Sequence, residues 1–512
     1  MELLSDERGR VAHSAVVGFA ASAVLLLASC GGGGGGTPGV SSAPPDPSSG
    51  LVASSSVAQH CAVPRSGDTQ GTVLDEKNWV RSWIDETYLW YADVRALSAS
   101  TLNANNYTSA LNYFNALKSP LVTTSGKPKD QFHFIYDTPT WIALSQSGAS
   151  FGYGFEFSLS PNTVPRKALV VYTNAGTPAE ANGIARGAQL LTVDGVDLVN
   201  DNSSAGIAVL NAGLLPTAAG PHTFSVLDPG ASTPRSVTLN AASLAPSTVQ
   251  NVKTLPTPNQ NVGYMQFNDH LATSEAQLAT AISQLKAANV TDLVLDMRYN
   301  GGGYLDITSE LAYMIAGPTP TNRKVFEQLT FNDKNPFQLT DAQTVTPFLS
   351  TTQAFFSGVG GTPLPTLNLS RVYVLVGAGT CSASEAVVNG LRGVGVQVNL
   401  IGATTCGKPY GFYPTDNCGT TYFSIQFKGV NQLGYGDYAD GFAPTCAASD
   451  DFTHALGDPS EGRLAAALSY RANGVCAPGM ALAQGVRAAS ALAGEPVLVR
   501  SPLRENRIYR SR

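Results

Sequence analysis

Cysteine is scarce in this chain of 512 residues: there are seven, and no two stand in a C-x-x-C pair. The six histidines are scattered, so the spacings of a zinc site are missing. No G-x-x-x-x-G-K-[ST] occurs, and no G-x-G-x-x-G lies in the right setting, which removes the common nucleotide cradles. The formal net charge is -6 and no Lys/Arg stripe appears, so the chain lacks the electrostatic footprint of a nucleic-acid binder. An apolar run at 15–28 is too short to span a bilayer comfortably. What is present is ample apolar material, 43% of residues, and a length that suggests several domains.

The run at 15–28 follows Arg8 and Arg10 and ends in Leu27-Ala28-Ser29-Cys30, the small-residue cleavage pattern of a secretory signal. Glu2, Asp6 and Glu7 make its start less basic than usual. The pattern resembles a bacterial lipobox, which implies a signal peptide over 1–29 and lipid on Cys30. GGGGGGTPGVSSAPPDPSSG (31–50) then reads as a flexible tether, within a linker assigned to 30–70. Without Cys30 the cysteines form an even set, Cys61, Cys381, Cys406, Cys418, Cys446 and Cys476, suited to an oxidising compartment. Cys406 and Cys418 bracket a short Gly/Pro-containing loop and are expected to pair.

Beyond the linker the chain divides into a helical unit over 71–145, a β-rich domain over 146–246 and an α/β core over 247–475. Residues 476–512 are left without a role. EKNWVRSWIDETYLWY (76–91) spaces Trp79, Trp83, Ile84, Tyr88 and Trp90 as a helix does, and these aromatics read as core. FGYGFEF (151–157) and LVVYTNAGTPAEANGIARGAQLLTVDGVDL (169–198) give strand, Thr-Pro helix start, Arg-Gly turn and strand. This pattern resembles a PDZ domain. It implies that backbone amides near Tyr153, Gly154 and Phe155 receive the C-terminal carboxylate of a peptide that adds as a strand.

In the core a helix over 274–287 precedes the strand DLVLDM and then RYNGGGYLDITSELAYMIAG, so Gly301-Gly302-Gly303 is a strand-to-helix turn able to aim N–H groups at an anion. RVYVLVGAG (371–379) is a buried strand leading into GTCSASEAVVNGLRG (379–393), a second such turn. Ser382, with Glu385 three residues on, fits an S-x-x-E capping box. It also stands where a nucleophile is best exposed, over a helix N-terminus. TTCGKPYGF offers Lys408 as a base, provided that burial holds it neutral; an exposed loop lysine is the plainer reading.

LVLDMRYNGGG, VYVLVGAGTCSASEAVVNGL and TTCGKPYGF, in that order behind a PDZ-like region and a helical unit, resemble the C-terminal processing peptidases, or tail-specific proteases. KDQFHFIYD (129–137) and DGFAPTC (440–446) belong to the same pattern. The resemblance implies an α+β multidomain chain with a crotonase-like core, Ser382 as nucleophile, Lys408 as general base, and an oxyanion hole from Ala383 and Gly302. It implies no metal or organic cofactor, protein or peptide substrates with exposed C-termini, and a periplasm-facing, lipid-anchored place in the bacterial cell envelope. Two positions depart: Phe412 stands where many members have a Gln, and Gly393 where an Asp is frequent. A third catalytic residue is therefore open among Glu385, Tyr410 and Thr415, and a peptide-binding protein that has lost its base is the rival reading.

Overall fold

The computed structural model describes residues 50–159, 163–245, 247–257, 260–355, 359–477, 497–499 and 507–508. The signal segment, Cys30 and most of the glycine-rich linker lie outside these residues. Among the described residues no helix is long and apolar enough to cross a membrane.

The helix Val73–Thr87 starts at Thr72, whose side chain accepts from the Asp75 N–H while Asp75 accepts from the Thr72 N–H, so two orphan donors are satisfied at once. One face buries Trp79, Val80, Trp83 and Ile84. The cluster they enter also holds Phe412, Tyr422, Phe423 and Ile425 from far along the chain. A three-stranded sheet makes the join, with Thr420–Phe423 pairing antiparallel to both Thr415–Asn417 and Phe134–Asp137. The helical unit and the segment after Lys408 therefore share one core. The end of the assigned linker is folded onto it as well: the Ser54 N–H donates to the buried Glu86 carboxylate, and Cys61 is bridged to Cys418.

The β-rich domain is a mainly antiparallel sheet built on Phe155–Leu159, Ala168–Thr173, Gln189–Val193, Gly220–Leu227 and Arg235–Leu244, with the helix Ser204–Leu214 packed on it. Tyr153 begins its core, and Ser150–Gly152 closes one end of the sheet.

The α/β core carries a six-stranded sheet in the order Val249–Thr257, Gln260–Phe267, Asp292–Asp296, Arg371–Val376, Gln397–Gly402, Cys446–Ala447. All pairs after the first are parallel. Both faces are covered, as a parallel sheet requires. Leu293 and Leu295 point to the cluster formed by the helices Ser274–Ala287, Leu305–Ala316 and Ala383–Gly393. Val294 between them points to the opposite side, where Leu464 and Ala467 of Gly462–Asn473 pack. Three neighbouring parallel strands thus end side by side, and the loops that follow them are the glycine turn, the serine turn and the lysine loop. That is the edge of an open parallel sheet where ligands are usually received.

Candidate active site

The serine turn is built from the neighbouring glycine turn. The Cys381 N–H and the Ser384 hydroxyl both donate to the Asn300 carbonyl, at 3.1 and 3.0 Å. Thr380 donates to the Met297 carbonyl at 2.9 Å. Ser384 is thereby a strut between two turns. Ser382 is different: it is fully buried and sits at φ 59°, ψ -112°, a conformation that a non-glycine residue adopts only under constraint. An ordinary helix N-cap is extended. The sharp strand-to-helix turn with a strained serine is the geometry of a nucleophile elbow.

Glu385 joins this turn to the lysine loop. Its Oε2 accepts from the Ser382 N–H at 3.0 Å and from the Lys408 N–H at 2.8 Å; its Oε1 accepts from the Gly407 N–H at 2.9 Å and from Thr405 Oγ1 at 2.5 Å. Burial pushes the carboxyl above its usual range, against the pull of these donors. The expected capping box is present, but its Glu385 acceptor also serves the loop of Lys408. A covalent bond runs in parallel, because Cys381 is bridged to Cys406. The expected Cys406–Cys418 pairing does not form. The Cys406 N–H is fixed on the Thr380 carbonyl, beside Cys381, whereas Cys418 occupies a turn facing Gln59 and bridges to Cys61. Cys446–Cys476 is the third bridge. Cys381, Glu385 and Cys406 cluster as metal ligands would, but both sulfurs are consumed by the bridge.

Lys408 is fully buried. Its ammonium nitrogen lies 4.4 Å from the centre of the Phe132 ring and 4.9 Å from that of Phe412. Phe132 comes from the helical unit, and the residue expected to be Gln in relatives is here one wall of an aromatic slot. Gly407, at φ 91°, lets the loop pass: a Cβ there would stand 2.2 Å from the Ala439 carbonyl oxygen. Of the other candidates for a third catalytic residue, Tyr410 packs edge-on against Trp90, with burial pushing its hydroxyl up to about 12, and Thr415 donates to the Tyr413 carbonyl. A cavity of about 370 Å³, bounded by Thr123, Lys129, Tyr410, Asp437 and Asp440, opens beside the lysine loop.

The glycine turn is held by a histidine that sequence reasoning missed. The His270 N–H donates to the Gly302 carbonyl, and the His270 carbonyl accepts from the Tyr304 N–H. Asn300 Oδ1 lies 3.1 Å from His270 Nδ1 and accepts from the Gly302 N–H at 2.9 Å. Burial drops the His270 ring to about 3, so it is neutral. Gly303 needs its φ of 136° and its lack of a Cβ, which would fall 2.3 Å from the His270 oxygen. The Gly302 N–H expected in the oxyanion hole is thus given to Asn300 in this structure, while Ala383 opens the helix beneath Ser382.

In the β-rich domain the Tyr153 hydroxyl donates to the Gly213 carbonyl at 2.7 Å and its ring stacks on Phe155. The Tyr153 and Gly154 carbonyls accept from Ala179 and Asn174, which fixes the loop that precedes Phe155–Leu159.

Residues 261–412 match the model of peptidase family S41, and residues 75–132 match that of the peptidase S41 N-terminal domain. Over these two stretches the chain is similar to the S41 peptidases. Two carboxyl-terminal-processing proteases, from Picosynechococcus and Synechocystis, are each 26% identical over 52% of this chain. The matches span 56% and 55% of those relatives, little more than half of their own length. An S41 protease from Bacteroides fragilis has a similar fold, with a TM-score of 0.59 at 24% identity, over 78% of this chain and 97% of that one. The mixed α/β multidomain architecture is that of S41 protease structures, and the S41 match covers the glycine turn, Ser382 and Lys408 alike.

Proposed function

We propose that the chain is a serine endopeptidase of the Ser-Lys type. The observation that carries this reading is the strained Ser382 elbow and the buried Lys408, both hung by their backbone N–H groups on one oxygen of Glu385. Neutral Lys408 takes the Ser382 proton, Ser382 attacks the scissile carbonyl, and the Ala383 N–H with an amide of the glycine turn receives the oxyanion. Lys408, now protonated, returns the proton to the leaving amine, and water resolves the acyl-enzyme. Phe132 and Phe412 keep water from the amine. For Gly302 to serve the oxyanion, its bond to Asn300 must be exchanged for one to substrate.

The domain over 146–246 is read as PDZ-like, with Tyr153, Gly154 and Phe155 as the carboxylate loop, and unfolded or exposed C-terminal tails as its ligands. Lipid on Cys30 would place the enzyme on the envelope, facing the periplasm. Phe412 favours one second reading, a catalytically impaired peptide-binding protein. Turnover of an unfolded protein separates the two. Ser382→Ala and Lys408→Arg should both abolish it with the fold retained, because a guanidinium cannot become a base. Full activity of Lys408→Arg, or no reaction of the parent protein with a fluorophosphonate probe, would exclude the Ser-Lys mechanism.

A further inference from the structure

We propose that Val497–Val499 and Arg507–Ile508 of this chain dock as strands along its own substrate path, the first on Phe155–Leu159 and the second on the glycine turn, and compete there with substrate. The first contact is an antiparallel pairing of Val497–Val499 with Phe155–Leu159, in the register Val497 to Leu159, Leu498 to Ser158, Val499 to Phe157. This makes Val497–Val499 the end strand of the eight-stranded sheet, running toward the loop at Tyr153 and Gly154. Val499 packs on the hydrophobic cluster of that domain. An extended peptide adding to a sheet edge would use the same row of backbone groups, and a row already paired is closed to it.

The second contact lies at the chemistry. Arg507–Ile508 pairs in parallel with Gly303–Tyr304, and it also neighbours Tyr410–Gly411, just beyond Lys408. A strand there lies across the two loops that a scissile bond must reach. The eight steps from Val499 to Arg507 allow at most about 29 Å of extended chain, so one short segment addresses both places. The sequence suits the task. Val497, Leu498 and Val499 are strand formers, while Arg500, Arg504, Arg507, Arg510 and Arg512 keep the rest soluble when released. The inference rests on reading Phe155–Leu159 as the capture edge of a peptidase, and it names what occupies that edge when no substrate is present.

The test compares the parent chain, a chain ended after residue 490, which retains Cys476, and full-length Val499→Pro, at the position paired with Phe157, whose proline removes a ladder N–H. A tethered strand with an effective concentration on the order of 1 mM and a Kd on the order of 100 µM raises KM about tenfold. Removing or unpairing it should therefore lower KM for unfolded casein by about that factor and leave kcat unchanged. A synthetic peptide of residues 491–512 should restore the higher KM competitively. Unchanged KM in both variants, with no inhibition by the peptide, would overturn the proposal. So would inhibition that rises with protein concentration, which would give the segment to a second copy. If no form cleaves casein, direct binding of the labelled peptide to the shortened chain still decides the matter: binding upholds the docking while the peptidase reading fails, and no binding overturns it.

Discussion

Glu385→Gln isolates what the shared carboxylate does. The substitution keeps the volume and leaves one acceptor oxygen, so either the Ser382 and Lys408 N–H pair or the Gly407 and Thr405 pair would face an NH2 group instead. Two buried donors left unmatched cost about 1–3 kcal/mol each, or about 2–6 kcal/mol together. Removing the charge relieves the burial that pushes this carboxyl upward, so a loss near the low end, about 2–3 kcal/mol, is expected. A domain stable by 5–15 kcal/mol, as is common, survives that loss.

The catalytic effect should be larger than the loss of stability suggests. The two loops that carry the proposed nucleophile and the proposed base lose their common anchor, and a displacement of about 1 Å between reacting groups costs on the order of 100-fold in rate. Urea titration with an unchanged slope should report the stability, and hydrolysis of unfolded casein the rate, with Ser384→Ala as a control for general loosening of the turn. Parental turnover at parental stability would refute the anchoring role. Lost stability with undiminished turnover would refute its link to catalysis.

Two further outcomes are expected. Glu310 is buried beside Glu275, and burial first, then that neighbour's charge, raises its pKa from 4.5 to about 10. Its contribution to stability is thus complete below pH 4.5 and lost as pH climbs toward 10, so the unfolding free energy of Glu310→Gln from urea titration should gain on the parent's by up to about 1.4 kcal/mol per pH unit between those limits; parallel pH curves would refute this. The Cys381–Cys406 bridge closes a sequence separation of 25 next to both catalytic candidates, so the Cys381→Ser, Cys406→Ser double variant should lose about 3 kcal/mol and also turnover, and undiminished hydrolysis by a correctly folded double variant would refute its part in holding the site.

The parts of the site that could be read in sequence are those written in short-range pattern. The helix over 274–287, the strand over 371–376 and the glycine turn all follow from local periodicity and stop signals, because burial of one face suffices to define them. What could not be read are contacts made by closing the fold. Phe132 against Lys408, Thr405 against Glu385 and Cys61 against Cys418 each join segments that no spacing connects. The expected Cys406–Cys418 bridge failed for that reason: loop length suggested a neighbour, whereas the direction of the strand Gln397–Gly402 delivers Cys406 to the serine turn. His270 gave no signal either, since a lone histidine in an apolar region has many ordinary uses and this one acts through its backbone and Asn300.

A similar closure relates the β-rich domain to the chemistry. Arg298, between the strand Asp292–Asp296 and the glycine turn, is fully buried and donates to Asp296, Asp450 and both oxygens of Glu461. Asp450 also accepts from Arg186 of the β-rich domain at 2.6 Å and from the Tyr299 hydroxyl. Burial opposes its charge, yet Arg463, Arg298 and Arg186 together hold Asp450 well below the usual carboxylate range. Buried charges are poor stabilisers, since desolvation cancels most of their attraction, and an apolar patch of equal size would hold the domains together as well. An apolar patch permits sliding, whereas a guanidinium forked onto two carboxylates fixes both direction and register. Arg298 and Tyr299 immediately precede Asn300, whose carbonyl carries the serine turn and whose side chain carries Gly302. The edge proposed to receive a strand is thereby indexed to the two turns proposed to cut it.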